Sequence, residues 1–180
     1  MANEKYNTGN IRKDAETARE AEDKAREILS LAFPNTAFDS VHDDKELWHT
    51  GDIRMSGRGF TKYLDIKDDG VIYRTKNVFA ENHKYYHSKP NKKEKGFMQL
   101  SNYDLLGILD DVEKNLYLID FKGLKKIYEN YPLRQSKLKD CNSYGNCVPL
   151  RVIRDKGLLA FQIKYSDKDS LSVVDVKKCC

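Results

Sequence analysis

Residues 52–67 alternate polar and apolar side chains on both sides of Ser56-Gly57-Arg58-Gly59. A glycine-rich turn between two alternating runs reads as a β-hairpin, and no other segment constrains the fold as much. With Ser56 to Gly59 as a four-residue loop, Met55 pairs with Phe60 and Asp52 faces Tyr63. Alternate side chains of a strand share a face. Asp52, Arg54, Thr61, Tyr63, Asp65 and Lys67 therefore lie on one face, and Ile53, Met55, Leu64 and Ile66 on the apolar other. Asp52 and Asp65 come out as diagonal neighbours, roughly 7–8 Å apart at the backbone.

The rest of the chain supplies a setting for this hairpin. Lys13 to Ala32 reads as a helix, with Ala18, Ala21, Ala25, Ile28, Leu29 and Ala32 on one face and Pro34 as its stop. Phe38 to Val41 is a short strand. Asp68-Asp69-Gly70 is a turn before a β-rich Val71 to Arg74. Ser101-Asn102-Tyr103-Asp104 resembles a helix N-cap and predicts a helix through about Val112. Asn115 to Phe121 reads as a strand, Lys122 to Asn130 as a helix ended by Pro132, and Gly157 to Lys164 as a last strand. The order is that of one α/β or α+β domain.

At 180 residues a single domain is the expectation, long enough to bury a core unaided. Seven Phe, eleven Tyr and one Trp are too many for a disordered chain despite 33% charged residues. No apolar run spans a bilayer and the start carries no leader, so a cytoplasmic protein with no membrane partner is expected. The net charge of +4 permits a polyanionic partner without requiring one. Cys141, Cys147, Cys179 and Cys180 lack zinc-knuckle spacing. Four reduced thiols are expected, with a Cys141–Cys147 bridge as the alternative.

Carboxylates at the separation of Asp52 and Asp65 can converge on one hard cation. Lys67 is one same-face step beyond Asp65, where an ammonium orients or helps deprotonate a water, or neutralises charge on a phosphate. The same pattern also describes a solvated strand face with an incidental ion pair. Residues 82–96 crowd His83, Lys84, His87, Lys89, Lys92, Lys93 and Lys95 around Pro90. They read either as a solvated loop or as a phosphate-contacting patch. Arg54 and Arg58 near the hairpin turn offer further phosphate contacts. Trp48, His49 and His42 with Asp43-Asp44 are better explained as edge and loop residues than as ligands.

Gly51-Asp52 followed by Asp65-Ile66-Lys67 resembles the PD-(D/E)xK nuclease superfamily, the restriction-endonuclease-like fold. The resemblance implies an α/β core: a helix, a β-hairpin carrying both motifs in a mixed central sheet, then a helix and a strand. A narrower likeness to small phage-type members extends through Thr75-Lys76-Asn77-Val78-Phe79-Ala80-Glu81, Gly96-Phe97 and Ser101 to Asp104, covering roughly residues 20–131. It departs at Gly51, where the family has proline, and at Lys76, where it has glycine. The implied metal is Mg²⁺ or Mn²⁺, held by Asp52 and Asp65 with Lys67 as the catalytic lysine. Glu81 is an extra acid and Asn77 lies close by. Glu22 is chosen as the first-helix glutamate, being nearest the apolar stripe, while Glu16, Glu20 and Glu27 point away.

The implied activity is DNA cleavage or nicking, with Arg54, Arg58, Asn77, Lys84, Lys89, Lys92 and Lys93 as nucleic-acid contacts. Two alternatives share the fold. One is an anti-CRISPR-like binding protein acting on a host defence nuclease or its guide complex. The other is a junction-resolving nuclease, which would be a homodimer. The expected layout is a flexible stretch at 1–12, a nuclease-like core at 13–131, and an extension at 132–180 packed on the core.

Overall fold

The computed structural model describes residues 11–41, 50–138 and 141–179. His42, Asp43, Asp44, Trp48, His49, Cys180 and residues 1–10 lie outside the described residues.

The first element is α1 (Ile11–Ala32), followed by β1 (Ala37–Ser40), β2 (Ile53–Gly57) and β3 (Phe60–Asp68). On α1 the buried residues are Thr17, Ala21, Ala25, Ile28 and Leu29, spaced at three- and four-residue steps. Ala18, expected on this stripe, is exposed, and Thr17 takes its place. The residue before a proline disfavours helical backbone, and α1 ends ahead of Pro34.

Next come α2 (Ile72–Thr75), β4 (Asn77–Tyr86), β5 (Lys93–Lys95), α3 (Phe97–Leu100), β6 (Leu105–Asp110) and β7 (Asn115–Asp120). The chain closes with α4 (Phe121–Ile127), a 3₁₀ turn (Tyr128–Asn130), β8 (Leu133–Lys137), β9 (Cys141–Pro149), α5 (Leu150–Asp155), β10 (Leu159–Ser166) and β11 (Ser172–Lys178). Among the described residues these strands form two sheets. The larger runs β1-β2-β3-β6-β7-β10-β11 and the smaller β5-β4-β9-β8. Only β3 and β6 pair in parallel; every other pairing is antiparallel. The fold is therefore α/β, with a large mixed sheet flanked by helices.

Two cores lie on opposite faces of the large sheet. Ile53, Leu64, Ile66, Leu105 and Leu109 pack under α1. Leu106, Ile108, Tyr117 and Ile119 meet Val78 and Ala80 of β4, Val148 of β9 and the short helices. This arrangement corrects several expectations. Val71 to Arg74 is not a strand but the start of α2. Residues 82–96 are not a loop: they complete β4, turn and return as the edge strand β5, whose lysines suit an unpaired edge.

The helix expected from Ser101 to Val112 is instead β6, buried at every position. A strand covered on both faces loses its alternation, so periodicity alone does not identify it. Asp104, read as a capping acid, binds β3: its carboxylate accepts the Tyr63 N–H at 3.0 Å, and its own N–H donates to the Tyr63 carbonyl. Residues 132–180 supply β9, interior to the small sheet, and β10, interior to the large one. They are woven into both sheets.

Candidate active site

The hairpin turn is tighter than expected. Gly57 pairs with Phe60 and Ile53 with Leu64, which leaves Arg58-Gly59 as a two-residue connection. The shift moves Asp52 toward Asp65. The Asp52 N–H donates to the Leu64 carbonyl at 2.7 Å, and the Asp52 carboxylate accepts the Ile66 N–H at 2.7 Å. Asp52 thus straddles Asp65 along the β3 backbone instead of lying diagonal to it. The two faces of the hairpin are as expected, with Ile53, Leu64 and Ile66 under α1.

Asp65 is 8% exposed. Burial, with Asp52 nearby and Lys67 opposing, pushes its carboxyl up to about 6. One Asp65 oxygen is 2.6 Å from the Lys67 Nζ, at an angle outside hydrogen-bond geometry. The buried Tyr103 hydroxyl faces the same carboxylate without a well-formed bond to it. Burial would lower the Lys67 amine, but Asp65, Asp52 and Glu22 outweigh it and hold the pKa above its ordinary value. Lys67 is therefore an ammonium, and its Nζ lies over the Phe97 ring, 5.8 Å from the centroid.

Glu22 of α1 joins this set. Burial first, then Asp52 and Asp65, push its carboxyl up to about 8, against the pull of Lys67. Glu16, Glu20 and Glu27 are exposed, as expected. The carboxyl groups of Asp52, Asp65 and Glu22 are hard oxygen donors of the kind Mg²⁺ or Mn²⁺ takes. Among the described residues no three His, Cys, Asp or Glu side chains are close enough together to hold one ion. The donors fit a hard cation by chemistry, not as a preformed cage.

A cleft of about 810 Å³ opens at Asp65 and Lys67. Glu81 and Asn77 of β4 line it, as does Lys84. Glu81 accepts the Ser143 hydroxyl at 2.5 Å, and its charge acts on Lys84. Asn77 donates to the Thr75 carbonyl at 2.8 Å. Lys76, where the resembled family has glycine, adopts left-handed backbone at φ 51°. Glycine is the usual residue there, at the end of a helix such as α2.

The other expected nucleic-acid contacts lie outside the cleft. Arg54 pairs with Asp39 at 3.0 Å, Arg58 caps the far end of the hairpin, and Lys89, Lys92 and Lys93 belong to the exposed β4–β5 hairpin. The cleft draws its remaining cations from Arg74, Lys95 and Lys137. Sequence reasoning gave Arg74 and Lys137 no role in the site and read Lys95 only as part of the basic run at 82–96, either a solvated loop or a phosphate-contacting patch. Nothing local marks Arg74 or Lys137. A second, more open hollow of about 730 Å³ beside Asp23, Lys24 and Phe38 holds none of the candidate residues.

Among the described residues Cys141, Cys147 and Cys179 form no disulfide with one another. Among the described residues no helix is long and apolar enough to cross a membrane. Comparisons with protein-family models, curated proteins and solved structures returned no match to this chain.

Proposed function

We propose that this chain is a metal-dependent phosphodiester hydrolase acting on DNA, an endonuclease or nickase with a restriction-endonuclease-like core. The observation that carries the reading is the set Glu22, Asp52, Asp65 and Lys67 beside a cation-lined cleft. The order α1, antiparallel β1–β3, then a crossover to a strand parallel to β3 also supports it. The expected second helix is replaced in that crossover by α2, β4, β5 and α3.

Asp52 and Asp65 would hold Mg²⁺ or Mn²⁺, with Glu22 as the third acid. A divalent cation there supplies Lewis-acid polarisation of a phosphoryl oxygen. Lys67, held charged by its three acidic neighbours, is placed to neutralise charge building on the phosphate and to orient the attacking water. An ammonium held in this way does not act as the base, which narrows the roles open to Lys67 in the sequence.

Plasmid nicking in Mg²⁺ against EDTA tests the assignment. Cleavage is expected with Mg²⁺ and lost in Asp65→Asn and Lys67→Met. Undiminished cutting by both variants would sink it.

The spread of the carboxylates favours one second reading, a nuclease-fold protein that binds and blocks a host nucleic-acid defence complex without cutting. Inhibition of such a complex that survives Asp52→Ala, with no cleavage by the wild type, would select it.

A further inference from the structure

We propose that the cleft takes an unpaired nucleic-acid strand, with bases on its aromatic wall and phosphates on its cations, rather than an intact duplex. The inference deepens the hydrolase reading and rests on it for the polyanionic nature of the ligand.

The charge comes first. Arg74, Lys95 and Lys137 line the cleft, are exposed, and pair with no carboxylate among the described residues. The same cleft is lined by the carboxylates Asp65, Asp68, Asp69 and Glu81 and by the cations Lys67, Arg74, Lys84, Lys95 and Lys137. Asp65 pairs with Lys67, Asp69 accepts the Val71 and Ile72 N–H groups, and Glu81 accepts the Ser143 hydroxyl. The cleft's cations outnumber its carboxylates by one, and the three that are exposed and outside any ion pair suit phosphates.

Phosphates alone would serve a duplex equally, and the apolar lining decides between them. Tyr73, Phe79 and Phe97 share the cleft with these cations. Leu100 and Leu138, also lining it, are 65% and 42% exposed. A duplex hides the faces of its bases in the stack and offers groove edges and phosphates. Against it, these side chains would meet nothing apolar. An unpaired strand presents base faces that stack on aromatic rings. Size agrees: about 810 Å³ is the scale of a small-ligand pocket, roughly 300–1,000 Å³, enough for a few nucleotides. An acidic, apolar peptide has similar complementarity, but the adjoining Asp65–Lys67 pair favours a phosphodiester.

Fluorescence anisotropy on the full chain in EDTA separates binding from cleavage. The probes are a labelled oligothymidylate of roughly 12 nucleotides and a duplex of equal length. The strand is expected to bind at least about tenfold tighter than the duplex. The Arg74→Ala/Lys95→Ala double variant should flatten the strand's log K against log salt slope by about 1.4, or about 0.7 per lost contact. Tyr73→Ala should weaken strand binding about fivefold or more at unchanged slope, and Tyr73→Phe should restore it. An oligouridylate titration tells RNA from DNA, and either preference over the duplex supports the inference.

Equal or tighter duplex binding overturns the inference and leaves hydrolysis to be read separately by nicking in Mg²⁺. Binding of neither oligonucleotide also overturns it and points to a peptide partner. Strand binding without cleavage in Mg²⁺ upholds the inference and sinks the hydrolase reading.

Discussion

Gly51 has φ +133°, and a Cβ built there would lie 2.4 Å from the Leu64 carbonyl oxygen. The chain presses against β3 at this point so that Asp52 can bond to Leu64 and Ile66. Proline is fixed near φ −65° and cannot take this backbone, which accounts for glycine where the resembled motif has proline. Gly51→Ala is expected to destabilise by roughly 2 kcal/mol or more, read as a fall in denaturant midpoint at unchanged slope. An unchanged midpoint would mean that the close approach is not a constraint. Lys67 gives a second prediction at this scale. Its role is charge, so Lys67→Arg should retain part of the cleavage that Lys67→Met loses. The loss in Lys67→Met is expected at roughly 10²–10³-fold in single-turnover rate. Equal loss in both variants would point to shape or proton transfer instead.

The docking of α1 decides whether Glu22 reaches the site. Two lysines and two aspartates fix its position away from the hairpin. Lys24 of α1 bonds Asp111 at 2.5 Å and Asp167 at 2.8 Å, and Lys114 bonds Asp167 at 2.7 Å. The Lys114 and Lys24 bonds pull Asp167 down to about 2. At Asp111 burial acts upward, but Lys24 and Tyr165 outweigh it and lower the carboxyl. Both acids have folded values below their unfolded ones. They therefore stabilise the fold fully above the ordinary aspartate range, and that contribution is lost as pH falls toward about 2. With a quarter to a third of each side chain exposed, water screens the network to about 1 kcal/mol. Asp167→Asn should lower the melting temperature near neutrality and flatten its decline below about pH 4. A decline as steep as in the wild type would remove the network from the account. Among the other elements, α1, β7, α4 and β10 were legible because each has a face or a run that marks it locally. β6 was not: buried on both faces, it carries no period of 2, and its preceding Ser-x-x-Asp imitates a helix start.

Across the whole molecule, the small sheet is built from both halves of the chain, with β4 pairing β9 over nine residue pairs. The large sheet likewise needs β10 beside β7. A chain ending at residue 131 would leave Val78, Ala80, Leu116 and Leu118 without their covers from β9 and β10. Such a truncation is expected to lose fixed packing, with near-UV circular dichroism collapsed and secondary structure partly kept. A truncated chain with native near-UV signal would restore 132–180 to the status of an extension. The net charge of +4 also acquires a distribution at this scale. Acids gather at Glu22, Asp52 and Asp65, while the cations of the cleft other than Lys67 come from α2, β4, β5 and β8.

The sequence by itself determined what short-range patterns can carry. These are the apolar stripe of α1, the two faces of the hairpin, and the pairing of Asp65 with Lys67 two residues on. Each follows from a fixed period of 3.6 or 2 and needs no knowledge of distant partners. Only the tertiary structure decided the hairpin register, the second sheet and the cleft. The register depends on whether four residues or two make the turn, and a Gly-rich Ser-Gly-Arg-Gly allows both. Both registers leave the same side chains on the apolar face, so burial under α1 does not choose between them; the observed register goes with the Asp52 bonds to Leu64 and Ile66. Lys137 enters the cleft only because β8 pairs with β9 and β9 with β4. Pairings across that much chain leave no trace in local composition.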